Sequence, residues 1–255
     1  MKLHYRHFGH AGPPVIILHG LFGSGDNWMM HGKELAQAGF RVFMPDQRNH
    51  GRSPWSESHS YHDLAADAIS FADHHFPGEP VHFVGHSMGG KTVMTAALLY
   101  PEKIASLTVV DIAPRPYGLH HHPIIEAMRS LPAGLQNRAE VDSHLARAVP
   151  EESTRQFLMK SLEKDEQGQF RWRINLDVLQ ASLPVISGPL FSDESVHIHT
   201  LFIRGEKSEY IRDKDLFEIK KQFPYSAIVT IPDAGHWVQA EQPVIFLETL
   251  KDWLT

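Results

Sequence analysis

The sequence predicts an α/β protein with a mostly parallel central sheet flanked by helices, and three observations lead there. Short apolar, β-branched runs recur at residues 15–18, 41–44, 81–84, 107–110, 201–203 and 228–231, as buried parallel strands do. Segments with helical apolar spacing lie between the early runs, at 28–38, 64–76 and 89–100, the pattern of crossover helices. From residue 112 to 197 the alternation gives way to helix-like stretches at 123–131, 138–148, 153–162 and 176–183, separated by Pro and Gly. The expected organisation is one core, residues 1–111 and 198–255, carrying residues 112–197 as a helical cap insertion.

Each element has a local reason. Residues 2–8 alternate apolar and polar side chains, which reads as a first strand and not as a secretory signal. Only this strand precedes residue 15, so a sheet of eight strands would have a short or missing first edge strand. The 15–18 run ends in His19-Gly20-Leu21-Phe22-Gly23, whose glycines let the loop fold closely. The 41–44 run leads into Pro45-Asp46-Gln47-Arg48-Asn49-His50-Gly51-Arg52-Ser53, a hydrogen-bonded scaffold turn with Asn49 suited to a left-handed backbone. The 81–84 run meets Gly85-His86-Ser87-Met88-Gly89 and then the small residues 92–97. That is how a strand turning sharply into a helix reads, with glycines two before and two after the turn residue so that strand and helix can approach. The 107–110 run, counted as the sixth strand of such a sheet, ends at Asp111. Ligands of open α/β sheets bind at the carboxyl ends of the strands, so an insertion leaving from there covers the site. Within it, residues 163–168 are expected to form a solvated charged turn.

Composition narrows the functions. A net charge of -6 gives no attraction to nucleic acid or anionic membranes, and no apolar run approaches the roughly 20 residues of a membrane span. The absence of cysteine removes disulfides, a thiolate nucleophile and thiolate metal sites; a cytoplasmic protein is the expectation. Among nineteen histidines, His120-His121-His122 lacks the helical spacing of a metal site and reads as a solvated loop. Neither a metal nor a cofactor is expected.

The chemistry centres on Ser87. A serine hydroxyl becomes nucleophilic when a histidine takes its proton and an acid fixes the histidine tautomer. His236, in the loop after the 228–231 run, has the place in chain order that the base takes in this architecture. For the acid, Asp111 at the carboxyl edge of the neighbouring strand is favoured, with Glu206 or Glu209 after the 201–203 run as the alternatives. Oxyanion donors are the backbone N–H groups of Leu21 and Met88, the latter at a helix N-terminus. His86 belongs to the turn and is structural. Phe22, Trp237, Met88, Ile124, Met128 and Leu131 are candidates to line an acyl pocket, although the last three can equally pack within the cap. Arg115, Lys207 and Arg173 are candidates for a basic rim.

These segments carry a resemblance. HGLFGSGDNW from His19, DQRNHGRS from Asp46, GHSMGG from Gly85, VVDIAP from Val109 and AGHW from Ala234 make the chain similar to the α/β-hydrolase superfamily. Within it, the chain resembles the small bacterial esterases and thioesterases akin to abhydrolase domain-containing protein 11. The resemblance implies hydrolysis of carboxylic esters or acyl thioesters such as acyl-CoA through Ser87, His236 and Asp111, without a cofactor. A C–C bond hydrolase with the same triad, or a slow-turnover ligand receptor retaining the pocket, is the alternative. The cap matches only in position and length.

Overall fold

The computed structural model describes residues 1–119, 121–190 and 194–255; His120 of the triple-histidine run lies outside the described residues. The strands are β1 (Tyr5–Phe8), β2 (Pro14–Leu18), β3 (Arg41–Pro45), β4 (Val81–His86), β5 (Ile104–Val110), β6 (Leu162–Lys164), β7 (Phe170–Trp172), β8 (Thr200–Gly205) and β9 (Ser226–Ile231). Seven form one sheet in the order β1-β3-β2-β4-β5-β8-β9. β1 pairs antiparallel with β3, and the other pairings in this sheet are parallel. Among the described residues no strand precedes β1. Among the described residues the inserted segment therefore leaves from the fifth strand and not the sixth.

Successive residues of a strand face opposite sides of the sheet, and both sides here are apolar. Val15 and Ile17 join Trp28, Leu35 and Phe246 in one core. Ile16 and Leu18 join Phe83, Leu107 and Phe202 in the other. Helices α1 (Met29–Gln37), α2 (Tyr61–His75) and α3 (Met88–Leu99) follow the early strands. α2 starts on a reciprocal cap in which Ser60 Oγ accepts the Asp63 N–H and the Asp63 carboxylate accepts the Ser60 N–H, both at 3.2 Å.

Between β5 and β8 the chain forms α4 (His122–Arg129), α5 (Arg138–Leu145), α6 (Glu152–Met159) and α7 (Leu176–Ile186). α8 (Leu216–Gln222), α9 (Val238–Glu241) and α10 (Pro243–Leu254) complete the core. Ile125, Leu145, Leu158, Trp172 and Leu179 of the inserted segment pack with Leu21, Phe22 and Met88 at the carboxyl edge of the sheet. Two expectations shift. The third inserted helix ends at Met159, because residues 162–172 form an antiparallel β6–β7 hairpin around the charged turn. The first strand begins at Tyr5 and not at Lys2. Among the described residues no helix is long and apolar enough to cross a membrane.

Close backbone approach fixes the centre of the sheet. A Cβ at Gly85 would stand 2.2 Å from the Gly89 carbonyl oxygen, and one at Gly89 would stand 2.3 Å from that of Leu18. Gly85→Ala and Gly89→Ala are therefore expected to cost on the order of 3 kcal/mol or more in urea denaturation. Gly118→Ala, where nothing lies within 4 Å, should stay within about 0.5 kcal/mol of the parent.

Candidate active site

Ser87 occupies the turn between β4 and α3 with φ 52° and ψ -115°, a conformation that is strained for a residue with a side chain. Its N–H donates to the Val110 carbonyl at 3.0 Å. It is the N-cap residue of α3, yet its side chain makes no capping hydrogen bond, so the helix does not consume the hydroxyl.

Asp111 follows β5, fully buried and also at positive φ, 50°. Its Oδ2 accepts from His236 Nδ1 at 2.8 Å and from the Ser208 hydroxyl, while Oδ1 accepts the Gly205 N–H at 3.1 Å. Burial pushes the Asp111 carboxyl up to about 6, against the opposing pull of the hydrogen bonds from Ser208 and Gly205. Above that pH the carboxylate accepts the Nδ1–H of His236, which leaves the Nε2 lone pair for a proton. The ring of Tyr210 stacks on the imidazole at 3.7 Å between centroids and 17° between planes. His86 supports the same loop, its Nε2–H donating to the His236 carbonyl at 2.9 Å; burial pushes it down to about 3, so it is neutral. The alternative acids lie elsewhere. Glu206 accepts the Asp233 N–H at 3.0 Å, and Glu209 is exposed.

The loop after β2 is held by two buried histidines. His19 donates from Nδ1 to the Gly20 carbonyl and accepts the Gln47 N–H at Nε2, both at 2.9 Å. His50 accepts the Phe22 N–H at 3.2 Å and donates from Nδ1 to the Arg48 carbonyl at 2.9 Å. Desolvation pushes His19 down to about 4 and His50 to about 3, so each keeps one donor and one acceptor across neutral pH. Phe22 has φ 66°, and its carbonyl accepts the Ser161 hydroxyl of the inserted segment at 2.8 Å. Among the described residues the N–H groups of Leu21 and Met88 have no hydrogen-bond partner. The 45–53 segment is scaffold as expected: Asp46 accepts from the Gly25 and Arg52 N–H groups, and Asn49 has φ 65°.

Two adjoining cavities meet at Ser87. The outer one, about 200 Å³, is walled by Phe22, Ile124, Phe157, Leu158 and Trp237, with His236 at its edge. The inner one, about 30 Å³, is walled by Tyr61, Met88, Lys91, Tyr117, Ser187 and Tyr210. Leu21 and His121 border both.

Several expectations need correction. Met128 and Leu131 do not line either cavity; Met128 is buried within the inserted segment, where its carbonyl accepts the Trp172 Nε1–H at 2.8 Å. One turn earlier on α4, Ile124 is the residue that reaches the outer wall. His121 is half-buried beside Phe22, at 6.0 Å between ring centroids, and His122 opens α4, so neither belongs to a solvated loop. The three basic candidates are each paired with a carboxylate: Arg115 with Asp215 at 3.1 Å, Lys207 with Asp233 at 2.8 Å and Arg173 with Glu163 at 3.7 Å. Each of these charges is offset by a carboxylate. The sequence reading missed Tyr210, Ser208 and Lys91. Only Lys91 had a signal, standing four residues after Ser87 and hence on the same helix face.

Comparison with known proteins identifies the fold family. A family model for the alpha/beta hydrolase fold matches residues 13–243. The chain belongs to the alpha/beta hydrolase family. It is 38% identical to the sn-1-specific diacylglycerol lipase ABHD11 of Danio rerio, over 94% of this chain and 78% of that protein. It is 33% identical to esterase YbfF of Escherichia coli K12, over 96% of this chain and 94% of that protein. Among solved structures, a marine microorganism esterase superposes with a TM-score of 0.94 and 42% identity, covering 99% of both chains. In this alpha/beta hydrolase β4, β5, β8 and β9, which lead into the candidate site's residues, lie in the middle and at the far edge of the sheet.

The Asp111 carboxyl, raised in the folded state, contributes stability that is present below its unfolded value near 4 and lost as pH rises through about 6. The stability of the parent minus that of Asp111→Asn, measured by urea denaturation, should therefore decline as pH rises from about 4 to about 6. A difference that grows over that window would contradict the burial argument.

Proposed function

We propose that this chain is a serine carboxylic-ester hydrolase working through an acyl-enzyme. The observation that carries the reading is the hydrogen bond from His236 Nδ1 to the buried Asp111 carboxylate at 2.8 Å, beside a cavity that both Ser87 and His236 border. In this reading the Ser87 hydroxyl attacks the ester carbonyl while His236 Nε2 takes its proton. The oxyanion is met by the N–H groups of Leu21 and Met88, and His236 then protonates the leaving alcohol. Water, activated by the same imidazole, releases the acid. Asp111 holds the tautomer and stabilises the imidazolium. Names of the relatives, an esterase and a lipase, favour the same class.

The 112–197 segment is proposed as the cap that sets selectivity, since Ile124, Phe157 and Leu158 supply the outer wall. Acyl thioesters share the reacting carbonyl and fall within the chemistry. The pairing of Arg115, Lys207 and Arg173 with carboxylates favours simple esters over the phosphate-bearing thioesters of coenzyme A.

Ser87→Ala should lower kcat on p-nitrophenyl butyrate by at least 10³-fold with an unchanged circular dichroism spectrum. Asp111→Asn should lower it by roughly 10² to 10⁴-fold, because an amide at that position forces the imidazole toward the wrong tautomer. Glu209→Gln should stay within about threefold, and a severe loss there alone would move the acid to the loop after β8. A series of p-nitrophenyl esters from acetate to palmitate should peak at short chains, given the volumes of the two cavities. A palmitate optimum would show that the inserted segment opens on binding.

A further inference from the structure

Lys91 plays no part in the reaction just described. It stands one turn beyond Ser87 on α3 and is 1% exposed. Its Nζ donates to the Gly188 carbonyl at 2.6 Å and lies 4.9 Å from the Tyr117 ring centroid and 5.6 Å from that of Tyr61. Those two rings, with Ser187, line the inner cavity that Ser87 closes from the other side. An ammonium has three donors, and Gly188 meets one. Among the described residues no carboxylate pairs with it and no second oxygen accepts from it.

A purely structural role explains this poorly. Burying an unpaired ammonium costs several kcal/mol, and a methionine or leucine would fill the same space on α3 at lower cost. Desolvation, reinforced by the charge of Arg115, which also lies over the Tyr117 ring, already pushes Lys91 down to about 7. Other buried cations here have acidic partners: Arg48 pairs with Asp67 at 2.6 Å and Arg155 with Asp142 at 2.9 Å. An anion entering the inner cavity would give Lys91 the partner it lacks. The cavity of about 30 Å³ holds about two water-sized groups, the size of the two oxygens of a carboxylate.

We infer that Lys91 is a specificity-determining residue that anchors the free carboxylate of a short dicarboxylic acyl group, so that monoesters of such diacids are preferred substrates. The inference rests on the serine-hydrolase reading. In it the ester carbonyl lies at Ser87, the ω-carboxylate reaches Lys91 and the Ser187 hydroxyl, and the alcohol occupies the outer cavity. Hydrolysis consumes one water and releases the alcohol and the free diacid, with no other reactant.

The test compares monoethyl succinate with ethyl 4-methylpentanoate, which has the same branched outline without the charge, in the parent, Lys91→Met and Lys91→Arg. The parent should show a kcat/KM ratio of at least tenfold in favour of the succinate ester. Lys91→Met should bring that ratio to about one or below, and Lys91→Arg should keep part of it. The ratio reads specificity whatever happens to absolute rates. Should Lys91→Met not fold, competition in the parent tests the ω-carboxylate: free succinate should inhibit neutral-ester hydrolysis at concentrations where 4-methylpentanoate, which keeps one carboxylate and the branched outline, does not. Ser87-dependent turnover of the neutral ester with no succinate preference and no succinate inhibition would overturn the role of Lys91 and leave the hydrolase reading intact. Absence of turnover on both esters would overturn the hydrolase reading and this inference with it.

Discussion

The structure depends on how closely α3 is pressed against the sheet. At Gly85, Gly89 and Gly90 an added Cβ would stand 2.2 to 2.4 Å from a neighbouring atom, so the strand–turn–helix unit has no room to relax and Ser87 keeps its unusual backbone. From there the site is tied together by main chain. The Ser87 N–H bonds to the carbonyl of Val110, and the next residue, Asp111, donates its own N–H to Ile203 at 2.8 Å. Gly205, at the end of that third strand, donates to the Asp111 carboxylate, and a Cβ there would strike the Gly235 carbonyl at 2.2 Å, one residue before His236. The side chains of the site thus project from consecutive strand ends whose mutual positions are set by backbone contacts.

Strain gathers at the same edge. Phe22, Asn49, Ser87, Asp111 and Asp233, the five non-glycine residues at positive φ among the described residues, each follow the carboxyl end of a sheet strand. Each such conformation costs on the order of 1 to 3 kcal/mol and persists because its surroundings over-determine it. The buried histidines supply much of that determination. A protonated His19 or His50 would lose the acceptor that holds Gln47 or Phe22, and desolvation keeps both neutral. The loop bearing the Leu21 N–H is consequently set by uncharged hydrogen bonds that salt does not screen.

Much of this was legible in the sequence for an identifiable reason: apolar periodicity reports which side chains are buried, and strand ends mark where loops must converge. The six strand runs, the turn at Ser87 and the place of His236 in chain order follow from that. Asp111 was legible because a strand neighbouring β4 delivers its terminal residue to the same edge. Contacts between segments far apart in sequence were not legible. Nothing in residues 205–210 says that Tyr210 lies flat on His236 or that Ser208 bonds to Asp111. The β6–β7 hairpin was hidden because its strands are three residues each, too short to show a period. Met128 was assigned to the pocket by its apolar character alone; it shares a face of α4 with Ile124, but one turn further along the helix, where it packs within the inserted segment while Ile124 reaches the wall.

The two cavities differ in what they offer, and this difference acts on a substrate as a whole. Ser87 lines both, so in the proposed reaction an ester has its carbonyl between them and sends one end each way. The outer wall is aromatic and aliphatic, where an apolar alkyl group is best placed. The inner wall ends at an ammonium with one oxygen partner, where an alkyl group would leave the charge as poorly solvated as before. Reversing the ester would place its charged end against Phe157 and Trp237, whose rings approach to 4.0 Å, and would strip water from a carboxylate without replacing it. Orientation is then decided by the penalty for the wrong arrangement as much as by the contact made in the right one. Each 1.4 kcal/mol of that penalty separates the two orientations by another factor of about ten.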